Sequence, residues 1–270
     1  MNYKLLVVDI DGTLVGRERN ISAENKKALA KVRNSGIQVS LSTGRAVQAC
    51  LRIINQLSLD GYHIFCDGAL VSNPGQGKEV YVQPISREVV KQMVEFAHQH
   101  EIDLELHSAT RYFIERETWS TKARRQFFGM EPTIVNLAML WERERIIKGG
   151  VVTTNPREAA KARSFSRQFR DSLHFSSAMT PAYPGVDFIN ILAPEVSKGK
   201  ALEALASHLG VSLTEVVAIG DGVNDVPLLS AVGLAIAMDN APDGVKAVAD
   251  YVTLDVDYSG VAAAIEKFLL

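Results

Sequence analysis

The stretch Leu5-Leu6-Val7-Val8-Asp9-Ile10-Asp11-Gly12-Thr13-Leu14 decides how the rest of the chain is read. Residues 5–8 form a continuous apolar run of the kind found in strands buried on both faces of a sheet. The run ends on two aspartates and a glycine. In extended geometry Asp9 and Asp11 point the same way while Ile10 points into the core. Gly12 permits a tight turn whose backbone N–H groups can face an anion.

The first third of the chain alternates strands and helices. A helix is expected over 23–34, with Ser22 as N-cap and Gly36 as its stop. A strand follows over 37–41, then SerThrGlyArg at 42–45 opening a helix to about residue 57, then a short strand over 63–66. The last third repeats the rhythm. A helix over 198–209 is stopped by Gly210, and a strand over 216–219 runs into GlyAspGly. Further helices near 225–231, over 243–249 and from Gly260 onward alternate with strands over 234–238 and 251–254. Repeated βα units with short turns predict an α/β fold, a Rossmann-like doubly wound parallel sheet with helices on both faces.

The middle has a different pattern. Strand character at 80–85, 103–106 and 112–115 surrounds an amphipathic helix over 88–98. A strand over 146–153, a helix over 157–169 and strands near His174 and Phe188 continue it. Strands in adjacent pairs beside helices predict an inserted α+β unit with an antiparallel sheet. Its boundaries are expected near 83 and 185, where Pro84 and ProGly at 184–185 punctuate the chain. The expected division is therefore a core of 1–82 and 186–270 and an insert of 83–185.

The 270 residues suffice for such a core plus a smaller domain, with 47% hydrophobic and 22% charged residues, as in ordinary globular enzymes. A net charge of -2 leaves no electrostatic footprint for nucleic acid or an anionic membrane. Cys50 and Cys66 have neither CxxC pairing nor metal-ligand spacing and are expected to be buried thiols in a reducing compartment. The N-terminal apolar run is too short for a signal peptide, and no stretch is long enough to span a membrane. A cytoplasmic location is expected.

Three polar clusters fall at expected strand ends: residues 9–13, 42–45 and 220–225. In open α/β sheets, ligands bind beyond the carboxyl ends of the strands. Asp9, Asp11, Asp221 and Asp225 would bring up to four negative charges into one crevice. Two unit charges ~4 Å apart at an effective dielectric of about 20 repel by roughly 4 kcal/mol. Such a cluster calls for a cation, and oxygen-only ligands favour a hard one such as Mg²⁺. A phosphate dianion would need a lysine as well. Lys198, at a helix start just before the GlyAspGly strand, is the candidate, although alone it reads as a solvated surface residue.

Taken together, DIDGTL at 9–14, STGR at 42–45, SKGKAL at 197–202 and GDGVND at 220–225 resemble the four motifs of the haloacid dehalogenase superfamily. The large insert between the second and third resembles its Cof-type phosphatases, which carry an α/β (type C2B) cap. The resemblance extends to MDNAPDGVK at 238–246 and to the end of the chain. It implies Mg²⁺-dependent hydrolysis of a small phosphate monoester, a sugar phosphate or phosphorylated cofactor, through an aspartyl phosphate. Asp9 is then similar to the nucleophile and Asp11 to the general acid and base. Thr43, with Ser42 as the nearby alternative, would hydrogen-bond the transferring phosphoryl group, and Lys198 would neutralise its charge. Gly12, Gly44, Arg45 and Asn240 would contribute to phosphate binding, Arg45 alternatively as a structural ion pair. Asp9, Asp11, Asp221, Asn224 and Asp225 would hold the metal or its waters, Asp11 through its backbone carbonyl.

Two positions depart from the family pattern. Asp67-Gly68-Ala69 stands where Asn-Gly-Ala is common, and Asp239 precedes Asn240-Ala241 where glycine is common. Either aspartate adds negative charge near the phosphate or points to solvent. In the insert, His107, Arg111 and Arg116 are read as surface residues, with substrate contact as the alternative. Two rival functions use the same motifs. A phosphomutase would share the phosphoaspartate, and a non-catalytic phosphosugar-binding protein would share the site without turnover. The retained pair Asp9 and Asp11 argues against the second. No nucleic-acid or membrane partner is expected.

Overall fold

The computed structural model describes residues 3–18, 20–179 and 185–270. Pro184, one of the expected boundary markers, lies outside the described residues. The chain divides into two compact units. One comprises Met1–Arg45, Leu51–Tyr81 and Ser197–Leu270, and the other Ala46–Cys50 and Val82–Val196.

The first unit is built on an eight-stranded sheet. Its spatial order is Tyr251–Val252, Leu234–Ala237, Val216–Gly220, Leu5–Asp9, Gln38–Ser42, His63–Phe65, Leu70–Asn73 and Lys78–Val82. Leu5–Asp9 is central and parallel to both neighbours, with Val8 opposite Ile219 on one side and Asp9 opposite Ser42 on the other. All five of its residues are buried, as its apolar run predicts. Leu5 and Val7 pack in one cluster with Ala201, Leu202 and Leu205 of the helix Lys198–Leu209. Side chains alternate along a strand, so Asp9 follows Leu5 and Val7 onto the face that carries this helix. Elsewhere the helices Ala23–Asn34 and Gly260–Phe268 are tied together where the Ala262 amide donates to Asn25 Oδ1 at 2.9 Å.

From the central strand the chain fills one side of the sheet first and returns much later to fill the other. This topological switch point opens a crevice beyond the carboxyl ends of Leu5–Asp9, Gln38–Ser42 and Val216–Gly220. The three polar clusters all follow these strands.

Two features differ from the expectation. The sheet is mixed, because Leu70–Asn73 runs antiparallel to His63–Phe65. Only residues 66–69 join the two strands, and a parallel return needs a crossover of about a dozen residues or more. Lys78–Val82 then joins the same sheet rather than that of the insert. The helix expected from 42–45 also starts late, as a 3₁₀ turn Val47–Ala49 followed by the α-helix Leu51–Gln56. Thr43 Oγ1 accepts from the Arg45 amide at 3.1 Å, a local bond that competes with helix initiation.

The second unit contains a six-stranded sheet in the order His174–Met179, Asp187–Leu192, Lys148–Thr153, Leu104–His107, Tyr112–Ile114, Thr133–Ile134. It is antiparallel except for the last pair. Leu104, Leu106, Phe113, Val151 and Ile191 cluster with Met93 and Val94 of the helix Arg87–His100 and with Phe165 and Phe169 of the helix Pro156–Phe169. Asp187–Leu192 forms ladders with both Lys148–Thr153 and His174–Met179. Its backbone groups are therefore satisfied in this sheet, and the second unit runs to Val196 rather than to 185.

Glu105 and His107 alternate with Leu104 and Leu106. The Glu105 carboxylate accepts from Tyr112 Oη at 3.1 Å, from Arg124 Nε at 2.8 Å and from Ser120 Oγ. His107 is not a surface residue but is 1% exposed. Burial, with the positive charges of Arg124 and Lys148, holds its pKa well below the ordinary histidine value. Arg111 and Arg116 are exposed and pair with Glu144 and Asp103. Among the described residues no helix is long and apolar enough to cross a membrane.

Candidate active site

Asp9 ends its strand 5% exposed, with one carboxylate oxygen, Oδ1, bound by Lys198 Nζ at 2.6 Å. Lys198 is the first residue of its helix, which Ser197 caps by accepting from the Lys200 amide. Sequence position alone made it a surface lysine, yet it is 1% exposed and also donates to Asp225 Oδ1 at 2.6 Å. Burial favours loss of its proton, but Asp225 and Asp9 more than offset this and raise its pKa above the ordinary lysine value. The ammonium is a fixed positive charge between two carboxylates.

Gly199 lets the helix come this close. A Cβ on it would lie 2.5 Å from the Pro227 carbonyl oxygen, so only glycine brings the helix start against the turn that carries Asp225. The second oxygen of Asp225, Oδ2, accepts from the amides of Asp221 at 3.0 Å and Gly222 at 2.9 Å. All of Asp225's hydrogen bonds are thus spent on fixing Lys198 and the loop that bears Asp221. Thr13 Oγ1 donates to Asp221 Oδ1 at 2.6 Å. Asn240 Nδ2 donates to the Gly12 carbonyl at 2.8 Å and to Asp221 Oδ2 at 3.3 Å, while its Oδ1 accepts from the Val256 amide. Thr13 and Asn240 therefore orient the acidic loop against the turn after the nucleophile position. Thr13 belongs to the polar cluster 9–13, but its role in orienting Asp221 is visible only in the structure. Its place next to Asp11-Gly12 is the sequence signal for that role.

Asp9, Asp221 and Asp225 each offer a carboxylate oxygen within 4.8 Å of the others. Burial first, then the charge of Asp225, raises the Asp9 pKa well above the ordinary carboxylate range, with Lys198 opposing. Burial, against the Thr13 hydrogen bond and aided by Asp225, pushes the Asp221 carboxyl up to about 6. Two buried carboxylates and the half-buried one of Asp221, facing one ammonium, leave an excess of negative charge. An all-oxygen donor set with that excess fits a hard divalent cation such as Mg²⁺.

Asp11 stands apart from this triad. The regular strand stops at Asp9, and the Leu14 and Val15 amides turn back onto the Ile10 carbonyl at 3.0 and 2.8 Å. Alternation therefore does not carry through to Asp11. Its side chain is 60% exposed and is held by Arg45, with Nε on Oδ2 at 2.7 Å and Nη2 on Oδ1. Of the two alternatives for Arg45, the structure contains the ion pair. Gly12 has φ +90°, and a Cβ on it would fall 2.2 Å from Asp221 Oδ2. Ser42 and Thr43 are both buried, and Ser42 Oγ has no partner among the described residues. Asn224 Nδ2 is bound to Asp67 Oδ1 at 2.7 Å. Asp67 is 7% exposed and so turned inward, whereas Asp239 is exposed and pairs with Lys246 at 3.1 Å.

The family pattern described as haloacid dehalogenase-like hydrolase matches residues 6–265. The 5-amino-6-(5-phospho-D-ribitylamino)uracil phosphatase YcsE of Bacillus subtilis (strain 168) is 24% identical over 270 residues, covering 100% of this chain and 97% of that protein. The chloroplastic endoribonuclease YBEY of Arabidopsis thaliana is 28% identical over 288 residues, and the match spans 98% of this chain but 46% of that longer protein. Among solved structures, a haloacid dehalogenase-like hydrolase from Bacteroides thetaiotaomicron superposes with a TM-score of 0.85 at 25% identity, covering 99% of this chain and 100% of that one. This chain belongs to the haloacid dehalogenase-like hydrolase family, as one of its Cof-type phosphatases.

Proposed function

We propose that the protein hydrolyses a small phosphate monoester with the help of Mg²⁺, through an aspartyl phosphate on Asp9. The observation that carries the proposal is the setting of Asp9. Its carboxylate is buried, tied through Oδ1 to Lys198, and shares a 4.8 Å oxygen cluster with Asp221 and Asp225. Bound there, Mg²⁺ would neutralise the excess charge and polarise the phosphoryl oxygens. Asp9, Asp221 and Asp225 have the donors to hold it.

This chain's own residues supply the rest. Lys198 holds Asp9 through Oδ1, which leaves Oδ2 to attack phosphorus. The Asp9 O–P bond forms as the bond to the leaving oxygen breaks, and Asp11 gives that oxygen its proton. Water then attacks the aspartyl phosphate, Asp11 takes a proton from it, and phosphate leaves with Asp9 restored. Arg45, now on Asp11, must release that carboxylate before it can carry a proton; an incoming phosphate dianion competes for the guanidinium. Thr43 Oγ1 accepts from the Arg45 amide, so its hydroxyl hydrogen is free for a phosphoryl oxygen. Ser42 Oγ, buried and unpartnered, is a second donor one residue earlier.

All of these residues lie in the first unit, so we assign substrate selection to the second, as a cap of residues 82–196. YcsE by its name acts on a phosphorylated ribityl compound, which supports a phosphorylated sugar, polyol or cofactor precursor as the substrate class. A reducing cytoplasm is part of the same proposal, supported by the buried thiols of Cys50 and Cys66. The test is Mg²⁺-dependent phosphate release from a panel of phosphorylated metabolites by the intact protein and by Asp9→Asn. The variant should be inactive throughout, and retained turnover would overturn the assignment. Isomerisation of a hexose monophosphate in the presence of a bisphosphate activator would instead identify a mutase.

A further inference from the structure

Asp67 touches two of the three polar clusters of the site, those at 42–45 and 220–225. Its backbone is left-handed at φ +54°, between Cys66 at φ +53° and Gly68 at φ +104°. Non-glycine residues rarely hold that conformation, and here two do so in succession. Bonds to the SerThrGlyArg loop keep them there: the Cys66 amide donates to the Arg45 carbonyl and the Asp67 amide to the Thr43 carbonyl, each at 3.0 Å. On the other side, a Cβ on Gly68 would fall 2.2 Å from the Ser197 carbonyl oxygen, so the turn lies directly against the start of the Lys198 helix.

The side chain completes the link. A Cβ on Gly44 would lie 2.9 Å from Asp67 Oδ1 and 3.1 Å from Oδ2, so the carboxylate is packed beneath the loop that receives the phosphoryl group. Oδ1 accepts from Asn224 Nδ2 at 2.7 Å. The charge of Asp67 also reaches Lys198, where it ranks behind Asp225 and Asp9 in holding the proton on the ammonium. An asparagine would keep the same shape and the same acceptor but not the charge.

We propose that Asp67 is a positioning residue of the phosphoryl-transfer site: its carboxylate fixes Asn224, and its negative charge weakens the hold on phosphate and so speeds product release. This rests on the phosphatase reading above. Two like unit charges ~7 Å apart, at an effective dielectric of about 20 to 40, change affinity by roughly ten- to fifty-fold. Asp67→Asn separates the two roles, since asparagine tolerates left-handed backbone at least as well as aspartate. Asp67→Gly removes both while relieving the backbone, so it too should fold.

The experiment is calorimetric titration of each protein with inorganic phosphate in the presence of Mg²⁺, alongside kcat for one turned-over monoester. Asp67→Asn should bind phosphate about tenfold more tightly and keep its chemical step, measured in a single turnover, within about threefold of wild type. Asp67→Gly should lose about tenfold or more in that step, because Asn224 is released. Unchanged or weaker phosphate binding by Asp67→Asn, or a wild-type chemical step in Asp67→Gly, overturns the proposal. Failure of the phosphatase reading looks different: the wild type would then neither turn over any monoester nor bind phosphate, and the role of Asp67 would fall with it.

Discussion

Lys198 Nζ lies 2.6 Å from Asp9 Oδ1, joining a helix start to a strand end 189 residues away in sequence, and 2.6 Å from Asp225 as well. Removing a buried partner leaves uncompensated charge, which typically costs about 3–5 kcal/mol. Lys198→Met should therefore lower stability by about that amount in urea unfolding and reduce phosphate release by a factor of about 10² or more. A variant with wild-type stability would mean that the two aspartates are protonated or solvated once the lysine is gone.

Asp221 leads to a prediction of opposite sign for stability. Its carboxyl is raised to about 6 from an ordinary value of 3.8, so without metal its ionised form works against the fold. The folded state takes up the proton first, so this group's contribution falls as pH rises from about 4 to about 6. Asp221→Asn should raise the metal-free stability at pH 7 by about 1–3 kcal/mol. Saturating Mg²⁺ should stabilise the wild type, by about 2.7 kcal/mol at a hundred times its Kd, and leave the variant unchanged. Thermal unfolding in EDTA and in Mg²⁺ reads both effects, and equal Mg²⁺ shifts in the two proteins would remove Asp221 from the metal site.

Gly12 and Gly36 form a matched pair, with φ of +90° and +92°. A Cβ on Gly36 meets nothing within 4 Å, whereas one on Gly12 would fall 2.2 Å from Asp221 Oδ2. Gly36→Ala should cost only backbone strain, about 1–2 kcal/mol, with kcat intact. Gly12→Ala should cost more and abolish most Mg²⁺-dependent turnover, because Asp221 must move. Similar activity in the two variants would show that the Gly12 turn can shift without disturbing the acidic loop.

His63 sets an acid limit on stability. It is buried beside the central strands, and its Nδ1 accepts from the Leu41 amide at 3.2 Å. Burial, opposed by Asp60, lowers its pKa to about 4 from 6.5. Between those values the unfolded chain binds the proton and the folded one does not, so stability falls as pH drops through this window, by up to about 3 kcal/mol. His63→Asn, which keeps an acceptor, should flatten the dependence of urea unfolding between pH 6.5 and 4. An unchanged slope would assign the acid sensitivity to other groups.

The central strand, the βα rhythm around it and the three polar clusters at strand ends are legible in the order of residues along the chain. Those features are local: a double-sided apolar run, helix end signals such as Ser22 and Gly210, and strands long enough to read. Four short residues between His63–Phe65 and Leu70–Asn73 carried the antiparallel return, and the strand Asp187–Leu192 carried the far boundary of the second unit. Both depend on which backbone finds which partner, and proline and glycine punctuation does not record that.

At the site, residue identity was legible and residue environment was not. Only the tertiary structure buried Lys198 between Asp9 and Asp225, because Gly199 allows an approach that no pattern along the chain encodes. Only it separated Asp11 from the acidic triad and gave it to Arg45, since the strand ends at Asp9, two residues too early for alternation to hold. It likewise turned Asp67 inward and left Asp239 outside with Lys246. Charge, burial and hydrogen bonding are properties of neighbours in space, and here those neighbours come from segments as far apart as residues 9, 67, 198 and 225.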